Sequence, residues 1–206
     1  MRAIPAALLM LATLLAGCSE PVWAPEAEVQ RAVYTHDAPP SISLITAINN
    51  RSREGGHSAL MINGSQRVIF DPAGTWWHRT VPERNDVLFG ITPTMYDFYI
   101  DYHARETYHM VVQTKEVSPE IAELALRRVQ EYGAVPKTQC SVAVSRILAD
   151  IPGFDGIERR LWPHRTMQDF ARIAGIREER IYDNSPDENG DLLGNQVMVA
   201  RDAVAE

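Results

Sequence analysis

Residues 56–70 read GHSALMINGSQRVIF and have the composition of a β-hairpin. Its two apolar runs, His57 to Ile62 and Arg67 to Phe70, have the length of short strands. Asn63-Gly64 lies between them and favours a tight hairpin turn, because both residues accept positive φ. A third apolar run, Ile42 to Ile48, comes earlier and is separated from the hairpin by a polar, glycine-rich turn. The sequence therefore predicts a three-stranded antiparallel meander.

Downstream of the hairpin, helical signals dominate. Thr92-Pro93 and Ser118-Pro119 each combine a capping residue with proline at the first helical position, and Gly133 is typical of a helix end. The predicted elements are a helix over Met95 to His103, a strand over Tyr108 to Val117, helices over Ser118 to about Tyr132, Cys140 to Ala149 and Thr166 to Ile173, and a short strand over Arg180 to Tyr182. The predicted fold class is α+β, an antiparallel sheet packed against a helix that carries Cys140, in one domain over residues 42–183.

The N-terminus has the pattern of a secretion signal. Arg2 supplies positive charge, and Ile4 to Ala16 is an uncharged run that is too short to span a membrane. Leu15-Ala16-Gly17-Cys18 resembles a bacterial lipobox, which implies cleavage after Gly17 and a lipid anchor on Cys18. The alternative is a plain signal peptide that is followed by a cysteine by chance.

Residues 1–17 are therefore expected to be a lipoprotein signal peptide. Residues 18–41, rich in Pro, Ala and Glu, are expected to be a tether with a short strand around Val29 to Tyr34. Ser19 resembles the residue that follows the cysteine in lipoproteins of the outer membrane, so the predicted location is that membrane, facing the periplasm. Residues 184–206 are expected to form an acidic C-terminal tail.

Composition restricts the function classes. The chain has 206 residues, 45% hydrophobic and 23% charged, which suits one globular domain of moderate size. A net charge of −7 argues against nucleic acid as a partner. No phosphate loop, nucleotide fingerprint, HExxH or paired-cysteine pattern is present, so no cofactor and no metal is predicted. The spacing of the histidines between residues 57 and 109 does not predict a metal site.

Cys140 is the candidate nucleophile. It stands at the predicted start of a helix, where free backbone N–H groups and the helix dipole lower the pKa of a thiol. A free thiol that has no function is also unexpected in an oxidising compartment. The alternative is a buried cysteine that packs as a small hydrophobic residue.

A cysteine nucleophile needs a base, and His57 is the best placed of the six histidines. It follows two glycines and opens an apolar strand, where an imidazole can face a cleft on a rigid element. The alternative is a solvated histidine at a strand end. His78 lies in an aromatic loop, whereas His103 and His109 lie near the end of a helix and the start of a strand.

These residues resemble a known superfamily. Gly56-His57-Ser58-Ala59-Leu60 on a strand, and much later Gln139-Cys140 opening a helix, resemble the circularly permuted, NlpC-type branch of the papain-like cysteine hydrolases. His precedes Cys in that branch, which includes cell-wall hydrolases, bacterial lipoproteins and lecithin retinol acyltransferase-like proteins. The resemblance covers about residues 42–150.

The resemblance also implies a third polar residue that orients the histidine, on the strand after it. Asp71 is the candidate, with His78 as the substitute. Asp71 precedes Pro-Ala-Gly, however, and an ordinary turn former is the alternative reading. The backbone N–H of Cys140 is the expected oxyanion donor.

The predicted function is a cysteine hydrolase of amide or ester bonds that works through a thioester. Peptidoglycan stem peptides are the favoured substrate by resemblance and location, and lipid acyl groups are the second choice. The rival is a catalytically silent lipoprotein that binds an envelope partner through the same cleft. A metal-dependent hydrolase would need at least three groups to converge among His57, Asp71, His78, His103 and His109.

Overall fold

The structure, a computed structural model, describes residues 21–189 and 192–193. Its strands are β1 (Ser41–Asn49), β2 (Gly55–Asn63), β3 (Arg67–Phe70), β4 (Glu83–Arg84), β5 (Val87–Phe89), β6 (Tyr108–Glu116) and β7 (Ile176–Ile181). Its helices are α1 (Glu26–Ala32), α2 (Pro93–His103), α3 (Pro119–Tyr132), α4 (Cys140–Ala149) and α5 (Pro163–Phe170).

The strands form one antiparallel sheet in the order β4-β5-β3-β2-β1-β6-β7. The α+β class is therefore confirmed, and so is the meander of β1, β2 and β3. Successive strand residues point to opposite faces, so β1 contributes Ile42 and Leu44 to one core and Ile45 and Ala47 to the other.

Both faces of the central strands are covered. The first core lies under α1, α3, α4 and α5, and the second lies under α2 and the loop that carries Trp76. Leu44, Leu60 and Tyr99 are no more than 1% exposed. Each fully buried aliphatic side chain of this size contributes about 1.5–3 kcal/mol to folding, so the centre of the sheet is a rigid support for side chains at its ends.

The helix signals work as the sequence predicts in two places. The Thr92 hydroxyl accepts a hydrogen bond from the backbone N–H of Met95 at 3.3 Å and caps α2. Gly133 ends α3 with a φ of +88°, a conformation that costs glycine little. The two later predictions are displaced along the chain, because α5 starts at Pro163 and β7 starts at Ile176.

The prediction of a tether over residues 18–41 fails from Val22 onward. Residues 26–32 form α1 rather than the strand predicted around Val29 to Tyr34, and Val29 is buried in the first core. The Asn63 side chain donates to the carbonyls of Ala38 and Pro39. This segment is therefore part of the folded domain.

The predicted tail is also partly packed. Glu106 N–H donates to the Ser185 carbonyl at 3.0 Å, and the Asn189 amide donates to the Tyr102 carbonyl at 2.9 Å. The domain therefore extends past residue 183. The predicted signal peptide and the predicted lipidation site Cys18 lie outside the described residues. Within the described residues, no helix combines the length and apolarity that crossing a membrane requires.

Candidate active site

Three separate elements bring the predicted site residues together. His57 lies near the start of β2, Asp71 directly follows β3, and Cys140 is the first residue of α4. Leu60 pairs with Phe70 across the hairpin, so the start of β2 and the end of β3 meet at one end of the sheet. Helix α4 packs against β2 and places the thiol at that same end.

Asp71 holds the ring of His57. One carboxylate oxygen, Oδ1, lies 2.6 Å from His57 Nε2 and accepts a hydrogen bond from the Tyr99 hydroxyl at 2.7 Å. The backbone of Asp71 also makes the turn that its sequence predicts, because its carbonyl accepts from Gly74 N–H at 2.9 Å. Asp71 is therefore both the residue that contacts His57 and an ordinary turn former.

Gly74 is required by this arrangement. A Cβ atom at this position would lie 1.8 Å from Asp71 Oδ2, well inside van der Waals contact. Any other residue would push the carboxylate away from its position beside His57. The turn sequence Asp-Pro-Ala-Gly therefore provides the carboxylate and the space it needs.

The Cys140 thiol lies near enough to His57 for the imidazole to shift its pKa. Burial would raise the pKa of this thiol, but its interaction with His57, together with the backbone N–H groups of Ser58 and Ser141, lowers it below its usual value. Since Nε2 of His57 faces Asp71, Nδ1 is the nitrogen left for the sulfur. The arrangement favours a thiolate beside an imidazolium.

The pKa of His57 agrees with that assignment. Burial would lower it, but the charge and hydrogen bond of Asp71, with a further contribution from Cys140, raise it to about 10. Burial would raise the pKa of Asp71, yet His57 lowers it. Asp71 and Cys140 thus both favour the protonated imidazole.

Two further residues belong to the site: Tyr99, which sequence reasoning missed, and His103, which it considered only as a less well placed histidine and a possible metal ligand. Both are on α2, four positions apart, so they occupy the same helix face. The His103 ring lies parallel to that of His57, with ring centres 5.9 Å apart, and its Nδ1 donates to the Tyr99 carbonyl at 2.7 Å. Burial lowers the pKa of His103 and favours its neutral form. The four-residue spacing of Tyr99 and His103 was the sequence feature that could have shown that they share a helix face.

The remaining histidines are engaged elsewhere. His78, the predicted substitute for Asp71, bonds the Thr80 hydroxyl at 2.8 Å. His109 bonds the Asn50 side chain at 2.7 Å and stacks on Tyr182. His164 lies next to the backbone of Gly55. Of the predicted third residues, Asp71 is the one that contacts His57.

An open cleft of about 430 Å³ lies beside His57 and His103. Four small residues line part of it: Ala47, Gly56, Ala73 and Gly74. The other lining residues are larger and mostly polar: Thr75, Tyr102, Arg105, Tyr108, Asp187 and Asn189. Cys140 itself is 8% exposed and is not among the residues that line this cleft.

Three of the groups that could hold a metal do converge. Ligand atoms of His57, Asp71 and His103 lie within 4.8 Å of one another, which the sequence spacing did not predict. Two ligands of a tetrahedral zinc ion would be about 3.4 Å apart at bond lengths of about 2.1 Å. His57 Nε2 and Asp71 Oδ1 are 2.6 Å apart, the distance of a short charge-assisted hydrogen bond. This geometry therefore suits an imidazole–carboxylate hydrogen bond better than a shared metal ion.

Comparisons with protein-family models, with curated proteins and with solved structures give no match to this chain.

Proposed function

We propose that this protein is an envelope lipoprotein with cysteine hydrolase activity on amide or ester bonds. Cys140 is the nucleophile, His57 is the general base and acid, and Asp71 positions His57. The observation that carries the proposal is the convergence of three side chains: His57 Nε2 lies 2.6 Å from Asp71 Oδ1, His57 lowers the pKa of the neighbouring Cys140 thiol, and His57 also lines an open cleft. A nucleophile, a base and an orienting carboxylate in this order are the parts that acyl transfer needs.

In the first half of the reaction, the Cys140 thiolate attacks the carbonyl carbon of the substrate. The carbonyl electrons move to oxygen, and the backbone N–H of Cys140, in the first turn of α4, is the proposed donor to that oxyanion. As the tetrahedral intermediate collapses, the C–N or C–O bond breaks. The imidazolium of His57 gives its proton to the departing amine or alcohol, and a thioester remains on Cys140.

In the second half, His57 acts as the base. It takes a proton from water, and the oxygen of that water attacks the thioester carbon. The C–S bond then breaks, which regenerates the Cys140 thiolate beside protonated His57 and releases a carboxylic acid. Asp71 stabilises the imidazolium in both halves because its carboxylate remains ionised.

The NlpC-type, papain-like assignment of the fold belongs to the same proposal. Its support is the chain order, with His57 on a strand well before Cys140 at a helix start, and the packing of that helix on the sheet. By that resemblance, peptidoglycan stem peptides are the proposed substrate. The cleft volume lies in the range of about 300–1,000 Å³ that small-molecule sites occupy.

The alkylation rate of Cys140 as a function of pH tests the proposal. The purified protein is treated with iodoacetamide beside two variants, His57→Ala and Cys140→Ser, the second of which accounts for any reaction at Cys18. We expect the wild-type rate to titrate below the value of about 8.5 of a free cysteine, and the His57→Ala rate to titrate higher. Hydrolysis of peptidoglycan fragments and acyl esters is then compared across the three proteins.

One observation favours the rival function, a silent protein that binds through the cleft. Cys140 is only 8% exposed and lies outside the lining of the cleft, so a molecule bound in the cleft does not directly meet the sulfur. If the thiol is unreactive, or if its reactivity is the same without His57, the hydrolase proposal fails. The cleft then remains as a binding site for an envelope partner.

A further inference from the structure

The folded domain begins close to the proposed lipid anchor. Val22 accepts a hydrogen bond at its carbonyl from Asn85 N–H at 2.9 Å, and Ala24 N–H donates to the Glu83 carbonyl at 2.9 Å. Trp23 forms an antiparallel bridge with Arg84. Residues 22–24 therefore extend the edge of the sheet beside β4 and are fixed to the body of the protein.

This edge carries exposed apolar side chains. Trp23 is 64% exposed and Val22 is 48% exposed, although both belong to a packed backbone segment. The Arg84 guanidinium lies over the Trp23 ring, 4.8 Å from its centre, and Glu26 pairs with the same guanidinium at 2.8 Å. We call Val22, Trp23 and Arg84 the Trp23 edge.

The Trp23 edge is close to the candidate active site. Val22 bonds Asn85, and the next residue, Asp86, accepts a hydrogen bond at its carbonyl from Asp71 N–H at 2.7 Å. Two backbone hydrogen bonds thus connect the first packed residues to the carboxylate residue that holds His57. The turn between β4 and β5 that carries Asn85 and Asp86 therefore lies at the same end of the sheet as Asp71 and His57.

We propose that the Trp23 edge rests on the lipid bilayer and holds the cleft next to the membrane surface. The inference depends on the proposed lipid anchor at Cys18. Four residues span at most about 14 Å, since an extended chain advances about 3.5 Å per residue. The headgroup layer on each side of a bilayer is about 5–8 Å thick. The anchor therefore holds Val22 within reach of the headgroups, where tryptophan is the preferred residue.

The proposed partner of the Trp23 edge is a bilayer that needs no anionic lipid, because Glu26 neutralises the charge of Arg84. The contact then depends on Trp23 and Val22 more than on charge, and we expect it to persist at high salt and on vesicles without anionic lipid. Substrates that lie at or near the membrane surface would be the ones to meet the cleft.

The test uses the full lipidated protein in vesicles of dioleoylphosphatidylcholine, with and without bromine on the acyl chains, since bromine quenches nearby tryptophan fluorescence. Wild type is compared with Trp23→Phe and with Trp162→Phe, whose tryptophan is similarly exposed at 58% but does not belong to the Trp23 edge. Phenylalanine keeps an apolar ring at each position. We expect Trp23→Phe to lose at least half of the bromine quenching and Trp162→Phe to retain it.

Quenching that is unchanged in Trp23→Phe would overturn the inference, and so would quenching lost only in Trp162→Phe. The mass of the N-terminal peptide from the same membranes separates this result from failure of the anchor. An acylated Cys18 with no quenching at Trp23 refutes the bilayer contact alone. An unmodified Cys18 refutes the proposed anchor, and the inference with it.

Discussion

The β2–β3 hairpin and the N-terminal segment from Val22 to Pro40 are both packed parts of the domain, but the sequence predicts only the first. The hairpin forms from neighbouring residues, with Asn63-Gly64 in the turn and Leu60 opposite Phe70. The N-terminal segment has the composition of a linker and is held by distant partners such as Arg84 and Asn63. Local signals are visible in the sequence, whereas contacts between distant segments depend on the completed sheet.

The largest effect should come from titrating His57, which pairs with Asp71 at the end of the hairpin. The pKa of His57 is raised from 6.5 to about 10 in the folded protein, so its contribution to stability is complete below pH 6.5 and is lost as pH rises through about 10. We expect the free energy of unfolding to fall with pH across this window. It is measured in Cys140→Ser, so that the thiol does not titrate in the same range, although the window then ends lower.

The matched control for that titration is the double variant Cys140→Ser with His57→Gln. It keeps all other titrating groups and removes the imidazole. Its unfolding free energy should vary less between pH 6.5 and 10 than that of Cys140→Ser alone. Equal pH dependence in the two proteins would mean that Asp71 does not hold a protonated His57.

Gly74→Ala tests how closely the turn after β3 packs against the Asp71 carboxylate. The new methyl group would lie 1.8 Å from Asp71 Oδ2, so either the carboxylate or the loop must move. We expect a loss of about 3 kcal/mol from overpacking and a rise in the pKa of the Cys140 thiol, read from alkylation rates. Gly156→Ala is the control, because nothing lies within 4 Å of its added Cβ and only the strain of its positive φ is introduced. A Gly74→Ala protein with normal thiol reactivity would contradict the geometry at Asp71.

The candidate site, like the fold, has parts that the sequence predicts and parts that it does not predict. Cys140 and His57 carry local signals, a helix start and two glycines before an apolar strand, whereas Asp71 is a candidate only through the resemblance, which implies a polar residue on the strand after the histidine. Tyr99 and His103 could not be assigned, since the aromatic residues of α2 fall on several faces and only the packed sheet selects one. Helix α5 starts at Pro163 without a capping side chain on Trp162, so its start was predicted three residues too late. The two- and three-residue strands β4 and β5 are too short for a pattern.

Val29→Ala tests whether the N-terminal segment contributes to the domain. Val29 is 5% exposed in the first core, and its loss should cost about 2 kcal/mol from two buried methyl groups and the cavity they leave. Val33→Ala is the control, because Val33 is 44% exposed and should change the unfolding free energy by less than about 0.5 kcal/mol. If chemical denaturation gives equal effects for Val29→Ala and Val33→Ala, the N-terminal segment is a tether and does not contribute to the domain.

The smallest effect is expected for Tyr99→Phe, which tests whether α2 helps to position Asp71 beside His57. The variant removes the hydroxyl that donates to Asp71 Oδ1 at 2.7 Å and keeps the buried ring. A lost hydrogen bond to a charged acceptor should cost about 1.5 kcal/mol of stability, the low end for such bonds, because Oδ1 keeps its contact with His57. Since Oδ1 also bonds His57, the carboxylate should hold the imidazole less firmly, and the pH profile of Cys140 alkylation should move to higher pH. A purely structural Tyr99 would change stability and leave that profile in place, so the profile decides whether Tyr99 positions Asp71 or only fills the core.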